Sequence, residues 1–152
     1  MHPSSLSLRS LAAAVVLAAL SAPALQAAPT NPLYADSTTS VPAAALHFYK
    51  NKEGLTIAIG WGDPAGGAHS NFIRMAGGEA SGVHAHTASY YGVVIAGVAA
   101  NEPDGASGDR PLATGSYWYQ KGGEYHVTKC ISRSGCLFFV TSPGAFDYLP
   151  KP

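Results

Sequence analysis

Three histidines in two separate segments are the residues of this 152-residue chain best suited to chemistry. His84 and His86 are one residue apart before a β-branched run, so in a strand both imidazoles project to the same face. His126 lies in a second segment of the same character, a glycine-rich turn followed by a strand. Three neutral imidazoles suit Zn, Fe, Ni or Cu and leave coordination positions open, so the pattern predicts one divalent metal site. The alternative is a set of polar core histidines bonded to the backbone.

The first 27 residues have the features of a secretory signal peptide. Arg9 supplies the positive start, the stretch from Leu11 to Leu20 is apolar, and small residues precede a cleavage point after Ala27. The apolar stretch is too short to span a bilayer, which argues against a membrane anchor. We therefore expect a periplasmic or secreted protein, with residues 28–45 as a flexible lead-in and residues 46–152 as a single domain.

Two cysteines, Cys130 and Cys136, are the only ones in the chain. An exported protein meets an oxidising compartment, and the five residues between them form a plausible hairpin loop that would place them opposite each other. We therefore expect a Cys130–Cys136 disulfide. The rival interpretation is a reduced Cys130, which faces the same way as His126 in a regular strand and would line a cavity as a ligand or redox sensor.

The elements that must position these residues are short strands separated by turn signals, which is typical of an all-β sandwich or barrel. We expect one long strand from Tyr90 to Ala99, with bends or close backbone contact at Gly92 and Gly97, and a surface loop from Asn101 to Thr114. The aromatic residues of the second half should be mostly core: Tyr117, Trp118, Tyr119, Tyr125, Phe138 and Phe139. The remaining mature-chain histidines, His47 and His69, are expected on the surface or in loops.

One segment of the chain resembles the first motif of the cupin superfamily. That motif runs glycine, five residues, His-x-His, three or four residues, Glu, six residues, glycine. Gly78, His84, His86 and Gly97 fall at those spacings, and Tyr90 stands where cupins have the glutamate.

A later segment resembles the second cupin motif, which runs glycine, five residues, Pro-x-Gly, two residues, His, three residues, Asn. Gly115, Gly123 and His126 match it, whereas Lys121 replaces the proline and Cys130 replaces the asparagine. The resemblance implies an all-β cupin fold, the double-stranded β-helix or jelly-roll barrel. The run from Gly115 to Trp118 is similar to small exported proteins with the domain of unknown function DUF4437, which is related to the cupin half of ChrR-type anti-sigma factors.

The resemblance also implies the roles of the site residues. His84, His86 and His126 would hold the metal, and the missing glutamate leaves an electron-poor site that favours Zn²⁺ over iron oxygen chemistry. Tyr90 is neutral at pH 7 with an ordinary pKa near ~10, so it either donates a hydrogen bond to a metal-bound group or is ionised by the metal and binds it as phenolate.

Two functions follow as expectations. The first is an exported binding or sensing module in which the metal site holds a small ligand. The second is a metal-dependent lyase, isomerase or hydrolase in which Tyr90 transfers a proton. Nine basic and nine acidic residues leave formal net charge +0, which gives no support for nucleic acid or an anionic membrane as partner. Cupins commonly dimerise through their sheets, so a homodimer is the expected protein contact.

Overall fold

This computed structural model describes Thr38 and residues 40–152. The predicted signal peptide, residues 1–27, and most of the predicted lead-in, residues 28–45, lie outside the described residues and stay predictions. Within the part of the chain that the structure describes, no helix combines the length and the apolar character needed to cross a membrane.

The regular secondary structure of the described chain is almost entirely β-strand, as the turn-and-strand pattern predicts. Among the residues described, one 3-10 turn (Ala43–Ala45) precedes the first strand. The strands are β1 (Tyr49–Lys50), β2 (Thr56–Gly62), β3 (His69–Met75), β4 (His84–Ala85), β5 (Tyr90–Ala96), β6 (Val98–Pro103), β7 (Leu112–Ala113), β8 (Tyr117–Gln120), β9 (His126–Cys130), β10 (Cys136–Ser142) and β11 (Leu149–Pro150).

The strands form two antiparallel sheets around one apolar core. The six-stranded sheet has the order β1-β2-β3-β10-β5-β8, and the five-stranded sheet has the order β11-β4-β9-β6-β7. Strand β10 lies between β3 and β5 and alternates buried and half-buried residues, so its inward side chains anchor the core. Core side chains come from both sheets and include Ile57, Val94, Ala99, Cys130, Phe138 and Val140. The predicted all-β jelly-roll architecture is confirmed.

The long strand predicted from Tyr90 to Ala99 is divided at Gly97. Gly97 has φ +85, which favours glycine, and an added Cβ would overlap the Gly135 carbonyl oxygen. The chain therefore turns there from β5 in one sheet to β6 in the other. The predicted loop from Asn101 to Thr114 is also shorter than expected, because β6 continues to Pro103 and Leu112 begins β7.

The predicted disulfide between Cys130 and Cys136 is present, with a Cα–Cα distance of 5.6 Å. The expected hairpin is wrong, however, because β9 and β10 belong to different sheets. The disulfide consequently joins the two sheets. Reduced Cys130, the rival interpretation, does not occur here.

Only part of the predicted aromatic core is buried. Trp118 and Phe138 are buried and meet edge-to-face, whereas Tyr117 and Tyr119 alternate with Trp118 along β8 and are exposed. The period of two along a strand sends neighbouring aromatic residues to opposite faces, which composition alone does not reveal. The close contact predicted at the backbone of Gly92 is made by Trp118. An added Cβ at Gly92 would overlap the indole ring.

Candidate metal centre

The two segments that carry the three histidines are neighbours in the five-stranded sheet. Strand β4 pairs with β9, and His84 lies directly opposite His126 in the register. All three imidazoles are buried, and their nearest ligand atoms lie within 4.8 Å of one another. The expected convergence of His84, His86 and His126 is therefore what the fold produces.

The backbone fixes which nitrogen of each ring faces its neighbours. His84 Nδ1 lies 2.9 Å from the Gly82 carbonyl oxygen, and His126 Nδ1 lies 3.4 Å from that of Glu124. His86 Nδ1 contacts the Asp147 carbonyl oxygen. An N–H at each Nδ1 donates to these carbonyls, so each Nε2 keeps a lone pair. Backbone carbonyls commonly orient metal-binding imidazoles in this way.

The resulting donor set fits a cation better than it fits a metal-free core. The Nε2 atoms of His84 and His86 are 3.1 Å apart, and both carry lone pairs if both Nδ1 atoms are protonated. Two lone pairs at that distance repel each other, and a cation between them removes the repulsion. Ligand atoms of a tetrahedral zinc site lie about 3.3 Å apart, since Zn–N distances are about 2.05 Å.

Burial keeps these histidines neutral. It lowers the pKa of His86 to about 4, with the nearby His84 charge as the next cause, and lowers the pKa of His126 to about 3, with His84 and His86 adding to the effect. The pKa of His84 is also lowered, chiefly by burial. Neutral imidazole is the form that binds metal, so the site is ready to bind a metal ion at neutral pH.

Tyr90 begins β5 with its hydroxyl beside this cluster. The hydroxyl lies 3.2 Å from His126 Nε2, and the Trp118 indole N–H donates to it over 3.4 Å. Burial raises the pKa of Tyr90, although the hydrogen bonds from Trp118 and Thr128 oppose the shift. The phenol is therefore neutral, and it occupies the place where the cupin motif has a carboxylate. This geometry favours the hydrogen-bond donor over the phenolate ligand.

A C-terminal strap, residues 143–148, covers the histidines from outside the sheets. Phe146 stacks on His86 with ring centroids 4.6 Å apart, and Tyr148 stacks on His84 at 4.5 Å. Between them, Asp147 accepts hydrogen bonds from the Thr87 backbone N–H at 2.8 Å and from its hydroxyl at 2.5 Å. The strap is far from the histidines in the sequence. Its contacts with the histidines carry no local sequence signal, because about sixty residues separate the partners.

The cavity beside the histidines is small and largely apolar. Its volume is about 40 Å³, which is room for a few water molecules. The lining side chains are Leu55, Ile73, Met75, Ser81, His84, His86, Tyr90, Trp118, Thr128, Phe138, Val140 and Phe146. Because Phe146 belongs to the strap, movement of the strap would enlarge this space.

The two remaining histidines of the mature chain differ in exposure. His47 is exposed, as expected, and Arg74 points outward over the Phe48 ring at 3.5 Å. The expectation for His69 is wrong: it begins β3 and is 0% exposed. Its burial comes from pairing with β2 and β10 rather than from any feature of the preceding glycine-rich loop.

Comparison with solved structures shows the class of fold. An RmlC-like cupin from Shewanella frigidimarina is similar with TM-score 0.56 and 20% identity, covering 70% of this chain and 92% of its own. The polyketide cyclase RemF from Streptomyces resistomycificus is similar with TM-score 0.61 and 16% identity, covering 75% and 83%. The DMSP lyase DddQ from Ruegeria pomeroyi is similar with TM-score 0.55 and 17% identity, covering 66% and 57%. These likenesses establish a cupin fold and nothing about the reaction.

The family model of the domain of unknown function DUF4437 matches residues 39–152. The match covers most of the sequence, so this chain belongs to the DUF4437 family and has the cupin fold. A search of curated proteins finds no significant match. The similarity to the ChrR cupin half stays a prediction.

Proposed function

We propose that this protein is an exported metal-binding cupin that binds or senses a small ligand at its three-histidine centre. The observation that carries the proposal is the convergence of three Nε2 atoms whose rings are oriented by backbone carbonyls. Polar core histidines need no such convergence, whereas each of these three rings directs one nitrogen to a shared point.

The donor set favours Zn²⁺, with Fe, Ni and Cu as alternatives. Three neutral nitrogen ligands leave a coordination position open for a ligand or water. The carboxylate that the cupin motif has at the position of Tyr90 is absent, which favours zinc over iron. Tyr90 supplies a neutral hydroxyl there instead, 3.2 Å from His126 Nε2. A group bound at the open position would accept the Tyr90 hydrogen bond, which would otherwise go to His126.

The wall of the cavity supports a small organic ligand rather than a polymer. The space is enclosed by apolar side chains and by the strap, and few polar groups reach it. A sensing role is consistent with this enclosure, because a ligand that displaces Phe146 would change the position of the strap on the outer surface.

The second candidate is a metal-dependent lyase, isomerase or hydrolase, and the geometry of Tyr90 favours it. A metal at the centre would polarise a carbonyl or activate water. Tyr90 would hold or deliver the proton, because Trp118 fixes its oxygen and burial keeps it protonated. The Tyr90→Phe variant discriminates the two candidates. If the protein is an enzyme, the variant should lose turnover. If it is a binding module, the variant should keep its metal, and its affinity for the ligand should fall by about tenfold.

The test of metal binding is elemental analysis of the mature protein, isolated without a histidine tag from the periplasm. We expect about one metal ion per chain, lost in the His84→Ala/His126→Ala double variant. Recovery from the periplasmic fraction also tests export. A wild-type protein without metal, even after incubation with Zn²⁺, Fe²⁺, Ni²⁺ and Cu²⁺ in turn, would contradict the proposal.

A homodimer stays part of the proposal, and one surface supports it. The outer face of β5 and the edge strand β8 carries exposed apolar and aromatic side chains, namely Tyr91, Val93, Ile95, Tyr117 and Tyr119. In light scattering, the wild-type protein should be a dimer and the Tyr117→Lys variant should be a monomer. A monomeric wild-type protein would contradict the proposed homodimer.

A further inference from the structure

Two polar side chains lie on the inner face of β3 where a core residue would ordinarily be apolar. His69 and Asn71 alternate along the strand with Ile73 and Met75, which line the cavity, so all four share one face. His69 and Asn71 are each 0% exposed. The amide and the imidazole are therefore directed into the barrel interior.

Three polar atoms of this pair have no hydrogen-bond partner among the described residues. The N–H at His69 Nδ1 donates to the Gly67 carbonyl oxygen over 2.9 Å, so its Nε2 is an acceptor, and that atom is unpartnered. Both Oδ1 and Nδ2 of Asn71 are unpartnered as well. Each such group carries a desolvation cost, and in native proteins a buried group of this kind needs an explanation such as a ligand or ordered water.

One aromatic ring lies between His69 and the histidine centre. His69 meets Phe146 edge-to-face with centroids 5.6 Å apart, and the same ring stacks on His86 at 4.6 Å. Phe146 is half-buried and comes from the strap rather than from a sheet. Displacement of this one side chain would open the space between His69 and the centre.

The chemistry of the pair selects a neutral group. It offers two acceptors, His69 Nε2 and Asn71 Oδ1, and one amide donor. The basic residue of the same strand, Arg74, points outward and gives no positive charge to the interior. A hydroxyl or primary amide both donates and accepts, whereas a carboxylate would leave both acceptors unpartnered and would be buried without a counter-charge.

We propose that His69 and Asn71 form a polar subsite that binds a hydroxyl or carboxamide group of the small ligand held at the three-histidine centre, with that ligand taking the place of the Phe146 ring. This inference rests on the proposed function and deepens it. It assigns to the ligand a neutral hydroxyl or carboxamide group and assigns the subsite to residues outside both cupin motifs.

The test is a titration of zinc-loaded and zinc-free protein with small neutral probes, lactamide, glycerol and propionamide, and with the anions acetate and propionate, which carry neither a hydroxyl nor an amide. The NMR signal of the Asn71 side-chain amide reports occupation of the subsite. We expect a saturable shift with at least one neutral probe, while the anions leave this amide signal unchanged. Asn71→Val should weaken the binding of that probe at least tenfold.

Ser70→Ala is the matched control. Ser70 is the neighbour of both residues, its hydroxyl is also buried and unpartnered, and it lies on the opposite face of β3. This substitution should leave probe binding unchanged. The inference is overturned if no neutral probe shifts the Asn71 amide, if the anions shift it equally, or if Asn71→Val binds as wild type does. Metal content, measured on the same samples, shows separately whether the proposed function has failed.

Discussion

The two ends of strand β9 are secured in different ways. At one end, Cys130 is joined to Cys136 by the disulfide that connects the two sheets. At the other end, about 13 Å away along the strand, His126 belongs to the histidine cluster. The strap over that cluster is held by ring stacking and by hydrogen bonds. These bonds join Asp147 to Thr87, His86 to the Asp147 carbonyl, and the Phe146 N–H to the Pro64 carbonyl.

This difference teaches that separate parts of the barrel set its stability and its accessibility. The disulfide reduces the conformational freedom of the unfolded chain and joins the two sheets. It lies at the end of β9 opposite to His126. The strap is fixed by interactions that break and re-form readily, and its rings lie directly on the histidines. Changes at the disulfide should therefore alter unfolding, and changes at the strap should alter exchange at the centre.

The largest expected effect is the acid sensitivity of the histidine end when no metal is bound. The folded pKa values of His86 and His126 are about 4 and about 3, below the ordinary histidine pKa, so the unfolded chain binds more protons as the pH falls. The contribution of these neutral histidines to the free energy of unfolding is fully present above about pH 6.5 and is lost progressively as the pH falls towards 4. From pH 7 to pH 5, metal-free protein should lose roughly 2 kcal/mol for each of these histidines.

Urea unfolding of chelator-treated protein at a series of pH values measures this loss. His126→Gln is the control, because a neutral side chain at that position should remove the contribution of one of the three buried histidines to the pH dependence. An unfolding free energy that stays constant between pH 7 and pH 5 would show that the buried histidines do not control acid stability.

The next effect concerns the disulfide end. Cys130→Ala/Cys136→Ala opens a short covalent loop, since the cysteines are 6 residues apart in sequence. Loop entropy predicts a loss of about 2 kcal/mol in the free energy of unfolding. Chemical denaturation measures the loss, and metal content and the rate of metal release to a chelator should stay at wild-type values. Faster metal release in this variant would mean that the two ends are coupled.

Local spacing predicted the histidine end far better than the strap. His84 and His86 share a strand face through their one-residue separation, and the second motif places His126 in the neighbouring strand. Contacts of Asp147 with His86 and Thr87 join residues about sixty positions apart, so no local pattern encodes them. The place of the strap over the centre depends on the path of the whole sheet.

The errors of prediction have equally physical causes. A glycine-rich loop before β3 suggested that His69 is exposed, but pairing on both sides of the strand buries it. The turn at Gly97 was expected only as a bend, because a positive φ and the close Gly135 carbonyl depend on tertiary contacts. The disulfide was predicted from a hairpin that does not exist; the cysteines meet because the connection between β9 and β10 crosses from one sheet to the other.

The smallest expected effect on stability, and the sharpest test of the comparison, is at the strap. Asp147→Ala removes the acceptor of two hydrogen bonds from Thr87 and should lower the unfolding free energy by only about 1 kcal/mol, because the site is half-exposed. The strap should nevertheless detach more often, since its main remaining side-chain contacts with the centre are two stacked rings. We expect zinc release to a chelator to become about tenfold faster, which corresponds to about 1.4 kcal/mol in the opening equilibrium.

Asp109→Ala is the matched control, because Asp109 is a carboxylate paired with Lys129 at 2.6 Å and lies outside the strap. It should leave the rate of zinc release unchanged. Thr87→Val completes a double-mutant cycle: if Thr87 and Asp147 act through their mutual hydrogen bonds, the double variant should release zinc scarcely faster than Asp147→Ala alone. If wild type and Asp147→Ala release zinc at the same rate, zinc does not leave through movement of the strap. The strap would then not control access to the centre.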